Sequence, residues 1–325
     1  DAARRIAGVA VRTPLLASPW PGLWLKPEML QPIGAFKIRG AMTAMSRLSP
    51  KTRARGVLAH SSGNHAQAVA YAARAFGVQA HIVIPDNAPA RKVEATRALG
   101  ATVELVPVEE RFSRPAELAA ETGKAMIPPY DDRNVIAGQG TIGLEIAEDL
   151  ELMAVGMAGG PAGGMAGGLS TVLVPVSGGG LISGVAAALA ALAPEVKVIG
   201  VEPALAGDAA DSFSAGERRA WLPSDTARTI ADGLRTFSVG ELPWEHIRTQ
   251  VHDIITVTED EILDATRRLA LEARLVAEPS GAVATAGFLH HRSQIPAGNA
   301  VAIVSGGNID PEIFRMILEG TSVRD

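Results

Sequence analysis

The sequence predicts an α/β protein with two doubly wound parallel sheets. Short apolar runs alternate with longer helical segments along the chain, an order typical of parallel strands joined by crossover helices. Glycines follow three of the predicted helices, at Gly77, Gly100 and Gly123, where a helix end favours a residue without a side chain. The predicted strands are residues 57–59, 81–84, 102–106, 171–176, 197–201 and 300–304.

The order of these units predicts two domains. The first three strand–helix units are expected to form a small inserted domain of residues 46–138, and the larger domain combines residues 1–45 and 139–325. Residues 153–168 consist mainly of Gly, Ala and Met. Such a segment of low complexity favours a surface loop over a regular element.

Composition excludes several classes of function. The chain has 325 residues, of which 47% are hydrophobic and 20% charged, with a net charge of −5 and no cysteine. No block of like charges is present, so neither nucleic acid nor a membrane surface is an expected partner. No apolar run approaches the roughly 20 residues of a membrane helix. No signal peptide is visible, and the cytoplasm is the expected location.

Lys37 is the first candidate for catalysis. It opens a helix-like run, and its neighbours in the sequence are mostly Gly, Ala, Phe and Ile. Burial disfavours the ammonium form and lowers the pKa of a lysine, as an amine that forms a Schiff base requires. The alternative is a lysine at a helix end that extends into solvent.

A glycine-rich turn lies between the predicted strand 171–176 and an Ala-rich helix. Its sequence is Ser177-Gly178-Gly179-Gly180-Leu181. Glycines let the backbone approach an anion, and free N–H groups at a helix N-terminus favour a phosphate. The spacing matches neither a dinucleotide fingerprint nor a P-loop, so we expect an isolated phosphate ester. A tight strand-to-helix turn without a ligand is the alternative.

A second polar turn, residues 60–67, follows the predicted strand 57–59. It reads His-Ser-Ser-Gly-Asn-His-Ala-Gln and leads into another Ala-rich helix. Hydroxyl groups, an amide and open N–H groups at a helix start suit a carboxylate. A simple helix N-cap is the alternative, although a cap needs only one such residue.

Together these segments resemble those of fold-type II pyridoxal-phosphate (PLP) enzymes, in the branch that holds serine racemase and the serine/threonine dehydratases. The resemblance extends over nearly the whole chain, and the blocks follow the order of the family. It implies an architecture like that of tryptophan synthase β, with PLP in the cleft between two domains. The matching blocks are residues 34–40, 60–67, 137–141, 177–181, 231–233, 256–261, 278–279 and 305–310.

The resemblance implies a role for each cofactor-binding residue. Lys37 would carry PLP as a Schiff base and remove the α-proton of the substrate, while Phe36 would lie against the ring. Asn64 would donate to the 3-hydroxyl oxygen, and a neutral Ser305 at the ring nitrogen favours elimination. The remaining cofactor contacts would come from Ser177, Gly178, Gly179, Gly180 and Leu181 around the phosphate and from Gly233.

The resemblance also implies substrate contacts. Ser62 aligns with the serine that, in serine racemases, faces the ring from the side opposite the lysine, where it would protonate the second face of the carbanion. Thr236 lies where the racemase places a serine that contacts the substrate. The α-carboxylate would be bound by Ser61, Ser62, Gly63, Asn64, His65 and Gln67.

A divalent-cation site is implied near residue 205. Glu202 and Asp208 match the spacing of that site in the family, and the carbonyl oxygen of Ala206 would be the third protein ligand. Oxygen donors suit Mg²⁺, Mn²⁺ or Ca²⁺, and the expected role is structural. Two exposed carboxylates on a loop are the alternative.

The sequence therefore predicts a PLP-dependent dehydratase that converts a β-hydroxy amino acid to a 2-oxo acid and ammonia. L-Serine, L-threonine and 3-hydroxyaspartate are the expected substrates, and a homodimer is expected from the resemblance. The alternative activity is racemisation of serine or aspartate by Lys37 and Ser62. A ligand-binding homologue without catalytic activity is a more remote alternative.

Overall fold

The computed structural model describes residues 1–61, 63–88, 90–111, 113–154 and 168–320. Ser62 and most of the segment 153–168 lie outside these residues, so the predictions made for them stay predictions. The helix that begins at Thr141 extends to Ala154, two residues into that segment.

The strands fall into two sheets. They are β1 (Leu16–Ala17), β2 (Leu23–Pro27), β3 (Val57–His60), β4 (Ala80–Pro85), β5 (Thr102–Val106), β6 (Ala125–Met126), β7 (Leu169–Pro175), β8 (Lys197–Pro203), β9 (Asp253–Val257) and β10 (Asn299–Val304).

The α-helices alternate with these strands along most of the chain. They are α1 (Ala2–Ile6), α2 (Lys37–Arg47), α3 (Pro50–Ala54), α4 (Asn64–Ala75), α5 (Ala90–Ala98), α6 (Ser113–Thr122), α7 (Arg133–Gln139), α8 (Thr141–Ala154), α9 (Gly180–Leu192), α10 (Asp208–Ala215), α11 (Pro223–Thr226), α12 (Glu241–Gln250), α13 (Glu259–Leu271), α14 (Pro279–His290) and α15 (Pro311–Glu319).

The larger sheet has the strand order β1-β2-β10-β7-β8-β9, and the smaller sheet has the order β5-β4-β3-β6. All described strand pairings are parallel except that of β1 with β2 at one edge. The predicted α/β class with parallel sheets is confirmed. The small sheet uses residues 57–126 only, inside the predicted insertion, whereas the exact domain limits stay a prediction.

The sequence of strand β7 shows why a strand of the large sheet is a continuous run of apolar residues. Val172 and Val174 pack into one hydrophobic cluster with α9, whereas Leu173 packs into another with α14. Because successive side chains of a strand point to opposite faces, a sheet covered on both faces needs apolar residues at every position. This double cover places the strand ends, rather than the faces, within reach of ligands.

Helix α2, which begins at Lys37, packs closely on α7 through two glycines. A Cβ atom on Gly138 would lie 2.5 Å from the carbonyl oxygen of Arg39 and 2.6 Å from Cα of Gly40. A side chain there would force the helices apart. The close packing fixes the start of α2 relative to the large domain.

The predicted strands and helix ends agree with the structure to within a few residues, and Gly77, Gly100 and Gly123 all have positive φ. Four of the described strands were not predicted: β1, β2 and β9 of the large sheet and β6 of the small sheet. Within the described ranges, none of the helices combines the length and the apolar character that a membrane crossing requires.

Candidate active site

A cleft of about 330 Å³ opens at the carboxyl ends of strands from both sheets. His60 and Pro85 line it from the small sheet, and Pro175 and Ser305 from the large one. Ligands of parallel α/β sheets bind at this end of the strands. The cleft also contains Lys37 and the whole glycine loop, residues 177–181.

Lys37 begins α2 and lies partly buried in this cleft. Its Nζ atom donates to the carbonyl oxygen of Pro129 at 2.7 Å and lies 5.1 Å from the centre of the Phe36 ring. Burial lowers the pKa of Lys37 to about 8. Among the described residues no carboxylate forms an ion pair with this amine, so nothing opposes the lowering.

The segment before Lys37 is attached to the segment after β10. The backbone N–H of Phe36 donates to the carbonyl oxygen of Ser305 at 3.1 Å, and Ala35 forms an isolated antiparallel bridge with Gly306. Lys37, Phe36 and Ser305 are thus brought to one wall of the cleft from opposite ends of the chain.

Behind this wall lies a buried ion network of four side chains: Lys26, Glu28, Arg39 and Glu145. Arg39 forms ion pairs with Glu28 at 2.8 Å and with Glu145 at 2.6 Å, and Lys26 pairs with Glu145 at 2.7 Å. The side chains of Arg39, Lys26 and Glu28 are fully buried. Arg39 follows Lys37 by two residues, so the network fixes the first turn of α2.

The glycine loop ends at the N-terminus of α9, and Gly179 has φ of 88°, which favours glycine. The loop is packed against Tyr130, because a Cβ on Gly178 would overlap that ring and one on Gly180 would lie 2.9 Å from the Cα of Tyr130. The packing leaves the first N–H groups of α9 without helical partners and beside the cleft, as an anion requires.

A hydroxyl pair joins the glycine loop to the loop that follows residue 231. Ser177 Oγ and Thr236 Oγ1 lie 2.8 Å apart, and the Gly233 N–H donates to Ser280 Oγ at 2.9 Å. All four residues line the cleft. The structure therefore brings the predicted residues Ser177, Gly233 and Thr236 together.

The polar turn before α4 contributes Ser61, Gly63, Asn64 and His65 to the cleft lining, whereas the partly buried Gln67 lies outside that lining. Ser61 Oγ accepts from the Gly63 N–H at 3.1 Å, which shapes the turn. The role expected for Gln67 stays a prediction.

His65 is buried, and its Nε2 lies 2.8 Å from the carbonyl oxygen of Ile127. Burial, together with the charge of Lys37, lowers the pKa of His65 to about 3. Its ring is therefore neutral, and it can offer a carboxylate a backbone N–H but no cation.

Several lining residues were not predicted from the sequence. An ion pair joins Lys92 of α5 to Asp232, 140 residues away, and so connects the small sheet's helices to the large domain. Arg111 and Arg235 also line the cleft. The 231–233 block and Thr236 pointed to this region, but not to these charged residues, because a distant charge pair leaves no local pattern.

Glu278 is a further lining residue for which the sequence predicted no role. It is 4% exposed, and its Oε1 accepts from Asn64 Nδ2 at 2.6 Å. Burial, reinforced by the negative charge of Asp232, raises the pKa of Glu278 to about 7. Asn64 itself is placed as predicted, in the cleft at the start of α4.

Comparison with known proteins identifies the fold and the family. The family described as "Pyridoxal-phosphate dependent enzyme" matches residues 6–306 of the chain. The chain belongs to this family of PLP-dependent enzymes. The resemblance to fold-type II enzymes is therefore confirmed, and the cofactor of this family is PLP.

Three relatives show how similar this PLP-dependent enzyme is to known proteins. L-threo-3-hydroxyaspartate ammonia-lyase of Saccharomyces cerevisiae is 39% identical over 98% of this chain and 95% of its own length. The solved threonine deaminase from T.th. is 42% identical with a TM-score of 0.84, covering 95% of this chain and 96% of that one. Maize serine racemase is 37% identical with a TM-score of 0.86, covering 98% and 95% respectively.

The predicted cation ligands of this PLP-dependent enzyme lie beside α10. Glu202 at the end of β8 and Asp208 at the start of α10 are both fully buried. Glu202 Oε2 accepts from the Ala210 N–H at 2.8 Å, but Glu202 Oε1 and both Asp208 carboxylate oxygens lack a hydrogen-bond partner among the described residues.

Burial raises the pKa of Glu202 well above its usual value, aided by the charge of Asp208, and burial raises the pKa of Asp208 to about 7. The alternative of two exposed carboxylates is wrong. Within the described ranges no three His, Cys, Asp or Glu side chains form a cluster, so a cation here needs backbone or water oxygens as well. Ala206, in the 3₁₀ turn between the two acids, is buried with them.

Proposed function

We propose that the protein is a PLP-dependent ammonia-lyase acting on β-hydroxy amino acids. The single observation that carries the proposal is Lys37: an amine with a pKa of about 8 and no carboxylate partner among the described residues, in one cleft with the glycine loop. An amine that must act as nucleophile and base near neutral pH needs this environment.

The residues present fit PLP. The N–H groups of Ser177, Gly178, Gly179, Gly180 and Leu181 would bind the phosphate, and Lys37 would hold the cofactor covalently. Phe36 would pack on the ring, with Asn64 and Gly233 at its edge. Ser305 would meet the ring nitrogen, and as a neutral side chain it would leave that nitrogen largely unprotonated.

When bound, PLP makes the α C–H bond of an amino acid acidic. The Lys37 amine would then take the α-proton, and the electron pair of the Cα–H bond would form a Cα–Cβ double bond. The β-hydroxyl would leave with the electron pair of the Cβ–O bond and, on receiving the proton back from Lys37, depart as water. The enamine released hydrolyses to a 2-oxo acid and ammonia. The turn of residues 61–65, with the N–H groups of Asn64 and His65 in the first turn of α4, would hold the α-carboxylate, while Thr236 would contact the substrate from the opposite loop.

The charge of the cleft favours a dicarboxylic substrate, 3-hydroxyaspartate, over serine or threonine. With Lys37 bound to the cofactor and Lys92 paired with Asp232, the lining still has two basic side chains, Arg111 and Arg235, against one acidic one, Glu278. Burial and the charge of Arg111 lower the pKa of His60. The Arg111 cation therefore lies near His60, at the end of β3. A second carboxylate on the substrate would meet an excess of positive charge.

The test is 2-oxo acid release, with PLP and Mg²⁺, from the isomers of 3-hydroxyaspartate, serine and threonine. We expect the highest kcat/KM for a 3-hydroxyaspartate isomer. If Arg111 and Arg235 bind the second carboxylate, Arg111→Met and Arg235→Met will each lower kcat/KM for 3-hydroxyaspartate by roughly 10- to 100-fold. The same variants are expected to change kcat/KM for serine little. A preference for serine or threonine in the wild type would contradict this choice of substrate.

Racemisation is the second candidate, favoured by the likeness to maize serine racemase and by Ser62, which lies outside the described residues. Lys37 and Ser62 would protonate opposite faces of the same carbanion. Chiral analysis of serine and aspartate incubated with the enzyme detects this activity. Ser62→Ala is expected to abolish racemisation while it slows elimination less, and equal loss of both activities would contradict the assignment.

The proposed site for Mg²⁺, Mn²⁺ or Ca²⁺ comprises Glu202, Asp208 and the carbonyl oxygen of Ala206. Three buried carboxylate oxygens without partners among the described residues support it, because buried anions without counter-ions are unfavourable unless a cation joins them. The homodimer, the cytoplasmic location and the absence of nucleic-acid partners stay predictions.

A further inference from the structure

Glu278 is a buried carboxylate to which the proposed reaction assigns no task. It occupies the N-cap of α14, yet its side chain accepts no hydrogen bond from the N–H groups of that helix. At an N-cap, the short side chains of Asp, Asn, Ser and Thr bind those groups. Here the side chain is instead directed into the cleft, where it accepts from Asn64 Nδ2.

A chain of amide hydrogen bonds fixes the orientation of Asn64. The carbonyl oxygen of Ile33 can only accept, so Asn308 must present its Nδ2 there, at 2.8 Å. Asn308 Nδ2 also donates to Asn64 Oδ1 at 2.7 Å. The Nδ2 of Asn64 therefore faces Glu278 Oε1 at 2.6 Å, and one N–H of Asn64 remains for a ligand.

Two glycines make room for this relay of Ile33, Asn308, Asn64 and Glu278. A Cβ on Gly34 would lie 2.5 Å from Asn308 Oδ1, and a Cβ on Gly306 would overlap Glu278 Oε1. Gly34 also has φ of 71°, a conformation that favours glycine. Gly34 belongs to the sequence block that contains Lys37, and Gly306 belongs to the block that contains Ser305. These two blocks therefore make room for both ends of the relay.

We propose that Glu278 is a positioning residue that orients the Asn64 amide toward the 3-hydroxyl oxygen of PLP. The inference rests on the proposed function, in which Asn64 donates to that oxygen. Without the acceptor at Glu278, the second N–H of Asn64 would lose its partner, and the amide would be held only by the hydrogen bond from Asn308 to Oδ1. The remaining N–H would then be directed less firmly at the cofactor.

The carboxyl group of Glu278 can accept the hydrogen bond from Asn64 whether or not it is ionised. Its raised pKa reflects burial and the neighbouring Asp232, with the Asn64 amide and Lys92 opposing the rise. Because a carboxyl group accepts through its carbonyl oxygen when protonated, and glutamine does the same, Glu278→Gln retains the hydrogen bond to Asn64. Glu278→Met removes it at similar size, and Glu278→Asp retracts the carboxylate from Asn64 by one methylene.

The experiment measures the apparent dissociation constant of PLP and the near-visible absorption band of the loaded protein. We expect Glu278→Met and Glu278→Asp to raise the dissociation constant about five- to tenfold, the effect of one lost hydrogen bond, and to shift the band. Glu278→Gln is expected to match the wild type. Glu259→Gln is the control, because Glu259 is equally buried but accepts from the Ile230 N–H.

The double variant Glu278→Met/Asn64→Ala separates positioning from a purely structural role. If Glu278 acts through Asn64, the double variant binds PLP no more weakly than Asn64→Ala alone, whereas independent roles would add. Should Glu278→Met fail to fold, Glu278→Asp in the same Asn64→Ala background gives the same comparison. Additive losses, or Glu278 variants with wild-type affinity and band, would overturn the inference. A wild-type protein without the band would instead overturn the proposed function.

Discussion

Lys26 and Lys37 differ in whether a carboxylate compensates a lysine that is withdrawn from water. The fully buried Lys26 donates to Glu145 and to the carbonyl oxygen of Thr13, so a carboxylate compensates its charge. Burial lowers the pKa of Lys26, but Glu145 opposes the change. In the described part of the chain the Lys37 amine forms a hydrogen bond with the carbonyl oxygen of Pro129 and no ion pair with a carboxylate, and burial lowers its pKa to about 8. An amine without a carboxylate partner can lose its proton near neutral pH and act as a nucleophile, whereas an amine paired with a carboxylate stabilises the fold.

The carboxylates show the same contrast. Glu28 forms two hydrogen bonds with Arg39 and one with Thr13, and it is fully buried. Glu202 and Asp208 are equally buried, yet three of their four oxygens lack partners among the described residues. Where the chain supplies no counter-charge, we expect a ligand to supply it: PLP at Lys37 and a divalent cation at Glu202 and Asp208.

The largest effect on stability is expected from breaking the ion network. Arg39→Met leaves Glu28 and Glu145 with Lys26 as their only basic partner in the described network, and removal of one member of a buried network costs about 3–5 kcal/mol. Chemical denaturation measures this loss. Arg47→Met, at the exposed end of the same helix, is the control and is expected to change stability by less than about 0.5 kcal/mol. Equal effects of the two variants would show that the network is not stabilising.

A smaller effect is expected from the titration of Lys37 in the cofactor-free protein. Its pKa is about 8 in the folded state and near 10.5 when unfolded, so between these values the unfolded state binds more protons. Stability should therefore rise from pH 8 to pH 10.5, by at most about 3 kcal/mol. Lys37→Met is expected to remove this rise, and an unchanged slope in the variant would contradict the low pKa.

Mg²⁺ should give the smallest of the three effects. At a tenfold excess over its dissociation constant, a cation that binds only the folded state adds about 1.4 kcal/mol. Asp208→Asn is expected to lose this response, although without metal it should be at least as stable as the wild type above about pH 7, where two buried carboxylates repel each other. Asp211→Asn, on the exposed side of the same helix, should keep the response. A response in Asp208→Asn would remove Asp208 from the site.

Local patterns revealed most of the fold and the backbone of the cleft. Strands bounded by glycines and the turns at residues 60–67 and 177–181 could be predicted because strand, turn and helix follow one another in the chain. Strand β2 was missed because it pairs with β10, whose residues lie 277 positions further along the chain. Its Lys26 is a charged residue in a buried strand, and the carboxylate that pairs with it, Glu145, lies 119 residues away.

The side chains that tune the cleft could not be predicted for the same reason. Glu278 meets Asn64 across 214 residues, and the Lys37 amine meets Pro129 across 92. Neither contact leaves a periodic signal in the sequence. The Glu278-Pro279 pair was recognised as a matching block, but its direction into the cleft depends on the three-dimensional turn before α14.

The central claim is that the uncompensated Lys37, and not the compensated Lys26, carries the reaction. The direct measurement is the rate of 2-oxo acid release from 3-hydroxyaspartate by PLP-loaded wild type, Lys37→Ala and Lys26→Met, at a temperature where all three are folded. We expect Lys37→Ala to lose at least about a thousandfold and Lys26→Met to stay within about tenfold of the wild type. A Lys37→Ala variant that retains the wild-type rate would contradict the account.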